Sequence, residues 1–175
     1  MTRAFIILTL SILYTVACYA QEILPQNKAS LDVFVTGLYI SREQPIAKNQ
    51  SAELGVGMMA DYFIGSDVKI HVRPSARLSY AYYYDRLRRT EKQRNTDLNS
   101  GNIIGADFIT GFHVLNGAAE RSNFVYLISP FWGLNRQLGK SKIQYHFKVG
   151  PAIASKSISN DGIGIYVNTG FAYCF

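Results

Sequence analysis

The sequence of 175 residues predicts an all-β protein, a transmembrane antiparallel up-and-down β-barrel, and three observations predict it. Long segments alternate between apolar and polar residues, aromatic residues gather near segment ends, and no segment carries apolar residues at helical spacing over a useful length. A membrane strand needs this alternation because one face meets lipid and the other a polar interior. The mean hydropathy of +0.02 fits, since interior residues offset lipid-facing ones.

The beginning of the chain has the parts of a secretory signal peptide. A short cationic start precedes an apolar run over 4–17, and Ala20 is a small residue at the expected cleavage site. The run is shorter than the roughly 20 residues that a membrane-spanning helix needs. We expect residues 1–20 to be removed and residues 21–175 to form one barrel domain. An uncleaved anchor helix and lipidation at Cys18 are the alternatives.

The composition narrows the possible partners and cofactors. Lys and Arg number 18 against 12 Asp and Glu, a formal net charge of +6. An exported protein does not meet nucleic acid, so we expect no nucleic-acid partner despite this charge. Only Cys174 remains after cleavage, which excludes an internal disulfide. No His or Cys residues have the spacing of zinc ligands, and we expect no cofactor.

Seven segments are predicted to be strands. Each is longer than the five or six residues usual in a soluble sheet, and each matches the roughly 9–11 residues, plus overhang, of a tilted membrane strand. Alternation is clearest in the second, third and sixth segments. In chain order the segments are 31–41, 51–64, 68–85, 102–115, 123–136, 143–156 and 163–175.

An odd number of strands conflicts with the predicted fold. Single-chain bacterial barrels have an even number, so we expect eight strands, with one merged into the run 68–85 or missed in 22–30. A soluble lipocalin-like barrel, apolar inside and polar outside, is the alternative; the run lengths and the terminal aromatic residue favour lipid outside. The expected connections are 43–50, 65–67, 86–101, 116–122, 139–142 and 155–162.

Three segments carry a resemblance to known proteins: 77–89 (Arg-Leu-Ser-Tyr-Ala-Tyr-Tyr-Tyr-Asp-Arg-Leu-Arg-Arg), 99–102 (Asn-Ser-Gly-Asn) and 129–140 (Ser-Pro-Phe-Trp-Gly-Leu-Asn-Arg-Gln-Leu-Gly-Lys). With its expected signal peptide, its alternating segments and its terminal Phe175, the chain resembles small outer-membrane β-barrels of Gram-negative bacteria, of the OmpA/OmpX-like size class. The three segments make it most similar to uncharacterised barrel proteins of Bacteroidetes-type bacteria. The resemblance implies the cell outer membrane and says little about activity. It also implies a barrel-assembly signal formed by Phe171, Tyr173 and Phe175.

If the polar faces point inward, charged residues meet inside the barrel. An interior of eight strands is about filled by side chains, and an isolated buried charge is costly, so we expect ion pairs that fix strand register. The alternative is a narrow porin-like channel for small solutes with anion preference, lined by Arg73, Arg77 and Lys148. The expected network is Glu53, Asp61, Lys69, Arg73, Arg77, Asp107 and Lys148, with His71, Asp85, His113 and His146 as further members.

A lipid-modifying outer-membrane enzyme is the third possible function. Such an enzyme would use a Ser and a His, and the base must lie within hydrogen-bond reach of the hydroxyl. Ser129 and His113 lie on adjacent predicted strands, but neither has an evident third partner. We therefore expect no enzymatic activity.

A cluster of basic residues is the densest charged feature of the chain. It follows the aromatic end of a predicted strand, so we expect it near a membrane surface. On the outer side it would contact lipopolysaccharide phosphates, which arginine pairs in bidentate fashion. A periplasmic contact or a solvated loop are the alternatives. The cluster is Arg86, Arg88, Arg89, Lys92 and Arg94.

The sequence thus predicts an integral outer-membrane barrel protein with a structural, binding or adhesion role. The expected partners are outer-membrane lipid, lipopolysaccharide and, during biogenesis, the barrel-assembly machinery. The oligomeric state is left open.

Overall fold

In the computed structural model, eight strands form a closed antiparallel barrel in which consecutive strands are neighbours. The structure describes residues 23–33, 37–64, 68–112, 124–155 and 162–175. The strands are β1 (Gln26–Asp32), β2 (Gly37–Ala47), β3 (Gln50–Ile64), β4 (Val68–Tyr83), β5 (Gly101–Gly111), β6 (Val125–Gln137), β7 (Ile143–Ala154) and β8 (Ile163–Cys174). β8 closes the barrel by pairing with β1, and Leu31 lies opposite Phe171.

The expected eighth strand is confirmed, and it is β1. Of the two predicted locations, the run 68–85 is a single strand, so the missing strand belongs to 22–30. The prediction of one strand over 31–41 is wrong, because this segment holds the end of β1 and the start of β2. β1 was missed because Leu31 is the only large apolar residue that it turns outward, which leaves almost no alternation to detect.

The predicted connection over 43–50 is also too long. β2 continues to Ala47, with a register irregularity between Pro45 and Ala47, and only Lys48 and Asn49 form the turn. Asn49 has a φ of 60°, a left-handed conformation that asparagine tolerates better than most residues. The side chain of Glu43 belongs to the polar face of β2, which lies inside the barrel, and this polarity accounts for the predicted connection.

Because the number of strands is even, β1 begins and β8 ends at the same rim, called here the terminal rim. The turn at 48–49, the segment 84–100 and the turn at 138–142 lie on this rim, and the opposite ends of the strands form the distal rim. The segment 84–100 contains helix α1 (Arg86–Glu91) and a short 3₁₀ helix (Asp97–Asn99). Within the described ranges no helix is long and apolar enough to cross a membrane.

Polar residues line much of the barrel interior, and apolar residues cover its exterior. Asp107 and Asn168 are fully buried, whereas Leu38 is 62% exposed and Ile165 is 81% exposed. This is the reverse of the arrangement expected of a lipocalin-like barrel. The interior also holds an apolar cluster that includes Tyr83, Ile103, Ile109, Phe131 and Tyr166.

Most aromatic side chains on the described exterior lie at two levels, one near each rim, and Phe108 lies between them. Near the distal rim, the rings of Phe112 and Phe124 meet edge to face with centroids 6.0 Å apart, and Tyr126 follows Phe124 by two residues. Near the terminal rim, Trp132 Nε1 donates a hydrogen bond to the Tyr84 hydroxyl at 2.8 Å. The other aromatic residues of that level are Tyr80, Tyr82, Tyr145, Phe171, Tyr173 and Phe175.

Candidate functional site

A chain of alternating charges crosses the interior from β1 to β4. Arg77 Nη1 lies 2.7 Å from Asp32 Oδ2, and Arg77 Nη2 lies 3.1 Å from Glu53 Oε1. Lys28 Nζ lies 3.0 Å from Glu53 Oε2 and 2.9 Å from Glu43 Oε2. Each of these five charged groups therefore contacts at least one group of opposite charge, which offsets the cost of removing it from water.

Further polar side chains contact the carboxylates at the two ends of this series of ion pairs. Glu43 accepts hydrogen bonds from Ser51 Oγ at 2.6 Å and from the Tyr83 hydroxyl at 2.7 Å. Asp32 accepts one from Asn168 Nδ2 at 3.1 Å, and His146 Nε2 lies 3.1 Å from its other oxygen. The charges are thereby tied to β8 and β7 as well as to the four strands that carry them.

A second network joins β4, β5, β7 and β8. Lys148 Nζ donates to both oxygens of Asp107 at 2.9 Å and to Ser79 Oγ at 3.0 Å. Asp107 also accepts hydrogen bonds from the Tyr166 hydroxyl, at 2.7 Å, and from Ser79 Oγ. The Lys148 ammonium lies 4.5 Å from the centroid of the Phe131 ring, a cation–π contact.

The described interior is close to charge neutral and filled by side chains. Four cations, Lys28, Arg73, Arg77 and Lys148, balance four carboxylates, Asp32, Glu43, Glu53 and Asp107. The cavity between the two networks has a volume of about 30 Å³. A cavity of this size has room for only a few water molecules, so the described part of the interior offers no wide path for solutes.

The terminal rim is covered by the residues before β1 and by the 3₁₀ helix. Asn99 Oδ1 accepts a hydrogen bond from the Leu24 main-chain N–H at 3.0 Å. Asn99 Nδ2 donates to Leu24 O at 2.9 Å and to Glu43 Oε2 at 3.0 Å. Gln144 Nε2 donates to the carbonyl oxygen of Leu98, and Ile23 is buried in the apolar cluster. Together these contacts close the barrel at this rim.

The expected interior residues fall into three groups. Glu53, Arg73, Arg77, Asp107, Lys148 and His146 turn inward, and all except Arg73 take part in the two networks. Asp61, Lys69, His71 and His113 have side chains that lie outside the described part of the structure. The prediction that Asp85 lies in the interior is wrong: it follows β4 on the terminal rim, where its carboxylate accepts the Asn102 main-chain N–H at 2.7 Å.

Sequence reasoning missed two of the four carboxylates in the described interior, Asp32 and Glu43, and also Lys28. Lys28 and Asp32 lie on the unrecognised strand β1, and Glu43 lies where a connection was expected. The signal was present in the sequence, because these residues share the two-residue period of an inward face once their strands are assigned correctly.

Of the two residues considered for an enzyme, only Ser129 lies in the described part of the structure. The Ser129 hydroxyl is buried and donates to the carbonyl oxygen of Pro151 at 2.8 Å. His113 lies outside the described residues. No cluster of three or more potential metal ligands occurs among the described His, Cys, Asp and Glu residues.

The basic cluster is divided by the fold of the segment 84–100. Arg86 is buried, and Arg89 Nε and Nη2 donate to Asn95 O at 3.1 and 2.7 Å. Arg88, Lys92 and Arg94 are exposed on the terminal rim. The cluster thus belongs to a folded segment on the terminal rim, where β1 begins and β8 ends.

The aromatic residues expected to form the assembly signal share the outer face of β8 and its end. Phe171, Tyr173 and Phe175 are exposed, and the rings of the last two stack with centroids 6.3 Å apart. Their recognition by the assembly machinery stays a prediction.

Together these features define the class of the protein as a closed eight-stranded up-and-down β-barrel with ion pairs inside and many apolar side chains outside. No protein-family model, curated protein or solved structure matches the chain. The assignment to this class therefore rests on the fold and on the contrast between the polar interior and the apolar exterior.

Proposed function

We propose that this chain is an integral outer-membrane β-barrel protein of a Gram-negative bacterium with a structural or binding role and a closed interior. The observation that carries the proposal is the apolar exterior. Leu54, Val56 and Ile40 on neighbouring strands are each more than 60% exposed, between the two aromatic levels. A soluble monomer seldom exposes so continuous an apolar surface, and tyrosine and tryptophan are enriched at membrane–water boundaries.

The dimensions of the barrel support membrane insertion. A transmembrane strand needs about 9–11 tilted residues, and seven of the eight strands have 11 to 16 residues. Backbone groups in hydrocarbon must be paired within the protein, and a closed barrel leaves no open sheet edge. The ion-paired interior is the arrangement that keeps charge away from lipid.

The expected signal peptide supports one orientation of the barrel. Export would deliver the beginning of the mature chain to the periplasm, which assigns the terminal rim to that side. The basic cluster lies on this rim. A contact between the cluster and lipopolysaccharide would require the opposite orientation.

Trp132 is the only tryptophan of the chain and lies on the proposed lipid-facing surface, 42% exposed. In vesicles made with lipids brominated on the acyl chains, we expect bromine to quench its fluorescence and the emission to be blue-shifted. Protein unfolded in urea beside the same vesicles is the control. A folded, water-soluble protein with unquenched emission would contradict membrane insertion.

The filled interior favours a structural or binding role over a porin-like channel. Purified, folded protein in planar bilayers is expected to give no reproducible single-channel steps, because side chains occupy the described interior and the terminal rim is covered. A large porin inserted by the same procedure is the positive control. Regular conductance steps from this protein would support the channel instead.

A further inference from the structure

A cleft opens on the outer side of the terminal rim, between the segment 84–100 and the first residues of β5. Its volume is about 260 Å³. It is lined by Tyr84, Asp85, Arg88, Arg89, Arg94 and Asn102.

The cleft carries an excess of positive charge. Its only acidic residue, Asp85, is engaged, since one oxygen accepts the Asn102 N–H and the other lies 3.8 Å from Arg89 Nη1. Arg88 and Arg94 have no ion-pair partner among the described residues. Two exposed guanidinium groups beside a third that is held in place by Asn95 form a surface suited to an oxyanion.

The barrel wall adds a fourth guanidinium next to the cleft. Arg136 on β6 donates from Nη2 to Asn102 Oδ1 and from Nη1 to Asn135 O at 2.7 Å. These hydrogen bonds orient the group while leaving its charge without a carboxylate partner in the described structure. The positive field therefore extends from the cap onto the outer wall.

The cleft also touches the aromatic level near the terminal rim. Tyr84 lines it and accepts the hydrogen bond from Trp132 on the outer wall. Tyrosine and tryptophan side chains sit at the headgroup level of a membrane. A phosphate in this cleft would stand at headgroup depth, with the apolar exterior of β5 and β6 directly beside it.

We propose that this cleft binds the phosphate group of a membrane glycerophospholipid, held by Arg88, Arg89 and Arg94, in the leaflet around the terminal rim. This assignment rests on the proposed membrane insertion. Arginine suits the site because its planar guanidinium pairs two phosphate oxygens at once. The lipid chains would lie against the outward faces of Ile104 and Trp132, which are both exposed.

Native mass spectrometry of the folded protein in detergent micelles tests the site, with phosphatidylglycerol as the probe and diacylglycerol of the same chains as the phosphate-free comparison. We expect Arg88→Gln/Arg94→Gln to weaken phosphatidylglycerol binding about tenfold or more, because hydrogen bonds to charged groups are lost. Lys140→Gln/Lys142→Gln removes the same charge from another exposed turn on the same rim and should bind like the unaltered protein.

Three outcomes would contradict the proposed phosphate-binding site. These are equal binding by Arg88→Gln/Arg94→Gln and the unaltered protein, an equal loss in the control variant, and equal binding of diacylglycerol. Millimolar inorganic phosphate that displaces the lipid completely would assign the cleft to free phosphate instead. Bromine quenching of Trp132 in the same preparations separates the two proposals: if insertion is normal and binding does not depend on the arginines, only the lipid site fails.

Discussion

Replacing Arg77 by methionine is expected to lower the free energy of unfolding by about 3–5 kcal/mol, because a buried ion pair loses one partner. The guanidinium is almost fully buried and bridges Asp32 and Glu53. Methionine keeps much of the volume but leaves Asp32 without its cation. The measurement is urea unfolding of the barrel in lipid vesicles, followed by the gel shift between folded and heated protein.

A matched control separates the effect of charge pairing from the loss of any basic residue. Lys140 is exposed in the turn at 138–142 on the terminal rim, away from the proposed lipid-facing surface. Lys140→Met should change the free energy of unfolding by less than about 1 kcal/mol. Adding Asp32→Asn to Arg77→Met should recover part of the loss, since the unpaired carboxylate is then removed. Equal unfolding midpoints for the two single variants would show that the interior pairs contribute nothing.

Replacing Val56 by arginine is expected to destabilise the barrel by about 2–4 kcal/mol, the cost of a basic residue at the centre of the bilayer. Val56 lies near the middle of β3, opposite Ile40, and is 61% exposed. In a water-soluble barrel the same change would be nearly neutral, because an exposed arginine is well solvated. Unfolding titrations in vesicles therefore distinguish lipid from water around this face.

An arginine placed on the outer face near the terminal rim is the control for Val56→Arg. Gln44 turns outward on β2 close to the terminal rim, and Gln44→Arg should cost only about 0–1 kcal/mol, as at a membrane boundary. Similar costs at positions 44 and 56 would contradict a lipid belt between the rims.

The alternation of the long strands could be predicted from the sequence because it reflects a large difference between two environments. In β4, Arg73 and Arg77 turn inward while Leu78 and Tyr82 turn outward, so the opposite phase would place charges on the apolar exterior and apolar side chains among the ion pairs. β1 lacked this contrast, with Leu31 as its only large outward residue. The prediction of strands from alternation therefore failed at β1, whose outer face carries few apolar side chains.

The partners inside the barrel could not be predicted from the sequence in the same way. Arg77 and Asp32 are 45 positions apart, and Asn168 and Asp32 are 136 apart. Such contacts exist only after the sheet closes, and local periodicity carries no information about which strands face each other across the interior. The cleft by α1 was hidden for a similar reason, since Asn102 and Arg136 come from the barrel wall and not from the basic segment.

The two interior networks also give the barrel a means of rejecting mispaired strands. A slip of one residue turns every side chain of a strand to the wrong face, and the apolar pattern penalises it. A slip of two residues restores the faces, so that pattern cannot detect it. It would, however, move Arg77 about 7 Å along the strand and away from Asp32 and Glu53. The loss of these ion pairs therefore destabilises a strand that has slipped by two residues.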